Sequence, residues 1–215
     1  MNNYCEYIHK LFNSIERINF PFDKSRIPSN GIYVLFEEGE KAHNVDRIVR
    51  VGTHTGKNQL YSRINQHFII ENKDRSIFRK NIGRAFLNKN NDIFLVHWEI
   101  DLTTKEAKEK YLKEINLKKL METEKIISEY IQKNFSFIVF EIDNKEKRLL
   151  LESKIISTVS LCQNCKQSEK WLGNYSTREK IIKSGLWLVN ELWKTELNED
   201  DINYLKLLLE RGNGI

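Results

Sequence analysis

The sequence predicts an α+β domain, and three observations carry that prediction. Residues 31–37 (GIYVLFE) and 47–52 (RIVRVG) are two β-like runs that face each other across a charged connection. Residues 135–142 (FSFIVFEI) form a third run, rich in β-branched and aromatic side chains. Elsewhere apolar residues recur three and four apart, the period of a helix. Strands and helices do not alternate as β-α-β units, which selects α+β over a parallel α/β sheet.

In chain order, Tyr4, Ile8, Leu11, Phe12 and Ile15 make a helical stripe over residues 4–18. Pro21 and Pro28 then separate this helix from the strand pair. Residues 1–28 thus read as an N-terminal helical extension, and 29–215 as a single domain. Leu60, Ile64 and Phe68 fall four apart and predict a helix from Asn58 to Ile70. A short basic helix follows in ENKDRSIFRKNIGRAFLNKNN. DIFLVHWEID (92–101) predicts a strand. Residues 104–133 predict one long charged helix, with Tyr111, Ile115, Ile127 and Ile131 among its apolar positions; its alternating Lys and Glu read as a solvated face. After the run at 135–142, residues 146–160 are helical, and 171–210 form helical pieces around Gly173 and Gly185.

Composition narrows the function classes. A chain of 215 residues fits one elaborated domain, and 40% hydrophobic with 11% aromatic residues is enough for a core. The net charge of +5 is compatible with a polyanionic partner. No apolar run reaches the ~18 residues of a membrane span. The opening MNNYCEYIHKLF lacks the basic-then-apolar order of a secretory signal. Three cysteines, an odd number, argue against a disulfide framework and for a reducing cytoplasm. No phosphate-binding glycine loop, H-E-x-x-H or G-x-S-x-G occurs.

Two charged residues break the apolar pattern. The stripe of helix 59–70 is Leu60, Arg63, Ile64, His67 and Phe68, with Arg63 and His67 one turn apart. An arginine there needs an anion or carboxylate, or else snorkels at the core edge with the histidine stacked on it. In helix 146–160, Leu149, Glu152, Ile156 and Val159 place Glu152 on or beside the buried stripe. That carboxylate needs a cation: a metal, or a structural ion pair that could be with Arg63. Cys162 and Cys165 form a C-x-x-C, but four zinc ligands would require Cys5 and distant histidines such as His43, His54 or His97.

The order of these features resembles the GIY-YIG nuclease family. Gly31-Ile32-Tyr33 matches the first motif, and Arg50-Val51-Gly52 aligns with the second, with Arg50 in place of its tyrosine. Arg63, followed by His67, matches the phosphate-contacting arginine, and Glu152 in LLLESKII matches the metal-binding glutamate. Asn174 in WLGNYS is the candidate for the asparagine that follows. The resemblance covers the strand pair with its helix and residues 135–176, so that 71–134 read as an insertion. It implies a small antiparallel sheet flanked by helices, whose hairpin face walls a catalytic cleft. Gly31 and Gly52 would then admit backbone or DNA where a side chain would block it.

The resemblance implies a metal-dependent endonuclease acting on DNA, most simply double-stranded, in a restriction or defence role. A structure-specific repair nuclease and an inactive DNA-binding module are the alternatives. Glu152 would hold Mg²⁺, or Mn²⁺, through oxygen, and Arg63 would grip the non-bridging phosphate oxygens. Tyr33 would be the general base. A free tyrosine titrates at about 10, so the metal or Arg50 would have to favour its phenolate. His67 would orient the water or act as base itself. Over residues 73–89, Lys73, Arg75, Arg79, Lys80, Arg84 and Lys89 face only Asp74 in acidic charge, which suits a phosphate track. The oligomeric state stays open, a dimer included.

Overall fold

The computed structural model describes residues 3–212. Its centre is a four-stranded antiparallel sheet in the order β1-β4-β2-β3: β1 (Ile18–Asn19), β2 (Gly31–Ala42), β3 (Val45–Gly52) and β4 (Phe135–Glu141). The central strand β2 pairs Tyr33 with Gly52 on one side and with Val139 on the other. The expected long charged connection is mostly strand. β2 and β3 run on to a two-residue turn at His43 and Asn44, both at positive φ, with a register irregularity between Phe36 and Lys41 that accommodates GEK.

Strand periodicity divides the core. Ile32, Val34, Phe36, Ile138 and Phe140 face α1 (Tyr4–Asn13), α7 (Lys145–Leu161) and α9 (Glu199–Gly212). Tyr33, Leu35, Phe135 and Phe137 face α2 (Leu60–Phe68), α3 (Ile77–Lys89) and α6 (Leu117–Asn134). The helices over 71–134 therefore supply much of one core face through Phe78, Ile82, Trp98, Ile127 and Ile131. At the N-terminus, α1 packs its buried Ile8 and Phe12 against the sheet, and β1 adds an edge strand beside β4.

Two expected elements differ. Residues 92–101 are not a strand: a turn leads into α4 (Leu95–Glu99). Phe94 and Trp98, four apart, are buried, whereas the β-branched Ile93 and Val96 that suggested a strand are exposed. The close packing of the Trp98 indole over Gly83 and its hydrogen bond to the Lys80 carbonyl (3.0 Å) hold this turn on α3. The expected single helix over 104–133 is two: α5 (Lys105–Tyr111) ends at Leu112, and after a turn Asn116 caps the start of α6 by accepting from Lys119 N–H (3.0 Å). The remaining helix, α8 (Glu179–Ser184), ends at Gly185 in the left-handed conformation. No helix among the described residues is long and apolar enough to cross a membrane.

Candidate active site

β3 is an edge strand that ends at Gly52, and helices from opposite faces of the sheet meet beyond its end. A cavity of about 400 Å³ opens there. Its walls are Thr53 to Thr55 after β3, Gln59, Ser62, Arg63 and Gln66 of α2, and Leu149 and Glu152 of α7. Arg63 and Glu152, separated by 89 positions in sequence (152 − 63), thus share one wall. The amphipathic spacing that buries Leu60, Ile64 and Phe68 leaves Arg63 at the half-buried rim. Its Nη1 donates to Gln66 Oε1 and to the Arg75 carbonyl, both at 3.2 Å. Neither Arg63 nor Glu152 has a salt-bridge partner among the described residues.

That isolation appears in the carboxyl's proton affinity. Burial pushes Glu152 up to about 7; Arg50, the Thr53 backbone and Arg63 oppose the rise, while Glu191 adds to it. A carboxylate that burial disfavours, with cationic groups near but none bonded, fits a divalent cation held through oxygen.

Behind this wall lies a second, buried layer. The Tyr33 hydroxyl stands 2.8 Å from His67 Nε2, and His67 Nδ1 stands 2.7 Å from Ser76 Oγ. Arg50 Nε donates to the Tyr33 oxygen at 3.4 Å, and an Arg50 Nη1 donates to the Trp187 carbonyl. Burial, reinforced by Arg50, Arg63 and Arg79, keeps the His67 pKa well below its ordinary value, so the ring is neutral. The hydrogen bonds are consistent if Tyr33 donates to Nε2 and Nδ1–H donates to Ser76, whose oxygen also accepts from Arg79 N–H. Tyr33 and His67 do not line the cavity, and Tyr33 is only 1% exposed. The role of Gly52 follows: a Cβ there would overlap the Tyr33 phenol paired across the strand, so the glycine makes room for this tyrosine rather than for DNA. At Gly31 a Cβ would overlap the Phe140 carbonyl, a close backbone approach as expected.

The structure adds His54, which the sequence suggested only as a distant zinc ligand. It lines the cavity and is buried. Its Nδ1 lies 2.7 Å from the Gly56 carbonyl, which can only accept, so the proton sits on Nδ1. Nε2 is left with a lone pair and no hydrogen-bond partner. Burial, helped by Arg148, lowers its pKa and keeps it neutral. Its place two residues after Gly52 was the one sequence signal that could have found it.

Two expectations fail on geometry. Asn174 does not line the cavity; its Nδ2 donates to the Ser168 and Glu169 carbonyls (2.9 and 3.0 Å) and ties down its own loop. The basic segment 73–89 is not a surface stripe. Arg79 is fully buried and donates from Nε and Nη2 to Glu124 Oε2 (3.0 and 2.7 Å). Arg84 makes a two-pronged pair with Glu99 (2.6 Å each), and Lys73 and Lys80 both bond Asp74 (2.7 and 3.1 Å). Helix α3 packs against α4 and α6, so its cations meet carboxylates of α4, α6 and the preceding loop. Arg75 and Lys89 remain exposed, and Arg75 adjoins Arg63.

The model of the GIY-YIG domain matches residues 6–213. The chain belongs to the GIY-YIG family. No curated protein and no solved structure matches it. The match takes in α1 and the helices over 71–134 as well as the hairpin, α2 and α7. GIY-YIG domains are typically phosphodiester hydrolases that use divalent metals and act on nucleic acid.

Proposed function

We propose that this GIY-YIG domain is a divalent-metal-dependent endonuclease that cuts double-stranded DNA. The observation that carries the reading is the shared cavity of Arg63 and Glu152, each ionisable, neither in a salt bridge among the described residues and each reaching it from a different face of the sheet. Glu152 would hold Mg²⁺ or Mn²⁺ through a carboxylate oxygen. The bound ion would supply positive charge at the phosphate and the departing oxygen. Arg63 grips non-bridging phosphate oxygens at the rim, where its donors are only lightly engaged. Arg50, held by the Tyr33 oxygen and the Trp187 carbonyl, adds fixed positive charge behind the wall.

Tyr33 is the base of this proposal and His67 its positioning partner: the neutral ring accepts the hydroxyl's hydrogen bond and fixes the oxygen's direction. A second assignment is favoured by the unpartnered, buried Nε2 of His54, a residue that lines the cavity, whereas Tyr33 does not. A restriction or defence role belongs to the same proposal and rests on the helices over 71–134 that lie beside the hairpin, α2 and α7. A cytoplasmic setting belongs to the proposal too, supported by an odd number of cysteines, three.

The test is cleavage of plasmid and structured oligonucleotides with Mg²⁺, with Mn²⁺ and with EDTA. Metal-dependent cutting that Glu152→Gln abolishes, with DNA binding retained, is the expected result. Binding without cleavage under any divalent metal would make the chain a DNA-binding module instead. Among base variants, a dead His54→Gln beside an active Tyr33→Phe would move the base to His54.

A further inference from the structure

A second cluster of chemically capable side chains lies at the other end of the β2–β3 hairpin. The eight residues of β3, a span of roughly 25 Å, separate it from the cavity beyond Gly52. Here Cys5 and His9 of α1, His43 of the hairpin turn and Cys165 after α7 bring ligand atoms within 4.8 Å of one another. Cys5 Sγ is 3.2 Å from Cys165 Sγ, and Cys165 Sγ is 3.2 Å from His43 Nε2. Cys162 Sγ lies 3.6 Å from the same His43 nitrogen. Tetrahedral zinc with ordinary bond lengths places sulfurs about 3.8 Å apart, and sulfur and nitrogen about 3.5 Å apart. Against that geometry the Cys5–Cys165 pair at 3.2 Å is too close by about 0.6 Å, and the two sulfur–nitrogen pairs at 3.2 and 3.6 Å differ by at most about 0.3 Å.

We infer that Cys5, His43, Cys162 and Cys165 hold a structural zinc ion, with His9 as a supporting residue beside it. Three chain segments supply these ligands, and no carboxylate joins them, a donor set suited to a soft, closed site. His9 is excluded as a ligand by its own bonds. Its Nδ1 lies 2.8 Å from the Cys5 carbonyl, and its Nε2 accepts from the Ile48 N–H at 3.2 Å, so both ring nitrogens are occupied by backbone. Cys162 takes the fourth position. It closes α7, and its sulfur lies 3.6 Å from the His43 nitrogen that also meets Cys165. His43 adopts positive φ, an unusual conformation for histidine outside a turn of this kind, and that conformation puts its ring over the two sulfurs.

Such an ion would tie α1 and the hairpin tip to the segment that leaves α7, the helix carrying Glu152. It would be independent of any divalent cation at Glu152, and its test does not involve cleavage. Chain expressed with zinc, purified under a thiol reductant and dialysed should contain about one zinc per molecule by elemental analysis. Cobalt exchanged into it should show the visible bands of a tetrahedral ion and a sulfur charge-transfer absorption proportional to three thiolates. Strong chelation should lower Tm by on the order of 10 °C. Glu152→Gln should keep the zinc in full and His9→Gln most of it, whereas Cys162→Ser should lose it. Because Cys162→Ser could fail to fold, zinc content and the cobalt spectrum of the unaltered chain stand as the primary measurements. A reduced, folded chain that retains no zinc after reconstitution overturns the inference. So does a Cys5–Cys165 disulfide formed in place of zinc. Zinc lost in His9→Gln but kept in a folded Cys162→Ser overturns the ligand set.

Discussion

Arg63 and Arg79 are both candidate phosphate contacts in the sequence, the first in an apolar helical stripe and the second in a basic run. In the structure they end in opposite situations. Arg79 is fully buried and bonded to Glu124, to the His67 carbonyl and to Ser128. Arg63 stands at the rim of a cavity and meets only neutral oxygens. The same contrast holds among carboxylates, since Glu124 is held by Arg79 and Glu152 by no cation. A charge set into an apolar stripe signals that a partner is required. It does not say whether the protein or a ligand provides it. A charge that the fold leaves unpaired is the better marker of function, because burying it without use would cost stability.

The largest expected effect tests the paired side. Arg79→Ala should destabilise the fold by about 3–5 kcal/mol, because Glu124 would remain buried without its cation; chemical denaturation measures this. A loss under 1 kcal/mol would erase the distinction between the two arginines. Arg63→Ala is the counterpart. It should leave stability within about 0.5 kcal/mol while cutting cleavage about 10²–10³-fold, the scale of a lost oxyanion donor.

Next comes pH. The folded-state pKa of Glu152 is raised from 4.5 to about 7, so its contribution to stability is fully present below about pH 4.5 and is lost as pH rises through 7. Linkage makes this loss about 3 kcal/mol between pH 4.5 and 8. Glu152→Gln should flatten that part of the stability profile, and Mg²⁺ should stabilise the unaltered protein at pH 8 but not at pH 5. A profile identical in the variant would show that the carboxyl is solvated or paired.

Smaller still is the buried layer. Tyr33→Phe keeps the ring against Gly52 but strands Arg50 Nε and His67 Nε2, at a cost of about 1–3 kcal/mol seen in thermal unfolding. The smallest effect belongs to Arg75→Glu. As the exposed neighbour of Arg63, it should flatten the log–log salt dependence of DNA binding by about one unit. Arg84→Glu should instead reveal itself as a folding defect, since Arg84 bonds Glu99.

Much of this protein was legible in the residues. Continuous β-branched and aromatic runs located β2, β3 and β4 because those strands are buried on both faces, and period 3.6 located α2 and α7. The intact Gly-Ile-Tyr, the glycine closing β3, Arg63 and Glu152 marked the site because charge is conspicuous in an apolar stripe. Period failed at 92–101, where β-branched residues turned outward and the aromatic pair four apart decided for helix. It failed again at 104–133, where the cap at Asn116 overrode the uniform charge pattern.

What the sequence determined by itself was the set of local propensities and the identity of the reactive groups. Tertiary structure alone decided their company. Arg79, Lys80 and Arg84 became internal struts because α3 is enclosed by α4 and α6. Asn174 became a loop clasp because the Ser168 and Glu169 carbonyls lie within its reach. His54 acquired a free nitrogen because its other one is held by Gly56. Cys5 and His43 met Cys165 because α1 and the hairpin tip pack beside the end of α7. The physical reason is common to all: a charge or a lone pair has meaning only through the groups within a few ångströms of it, and those come from distant positions in the chain.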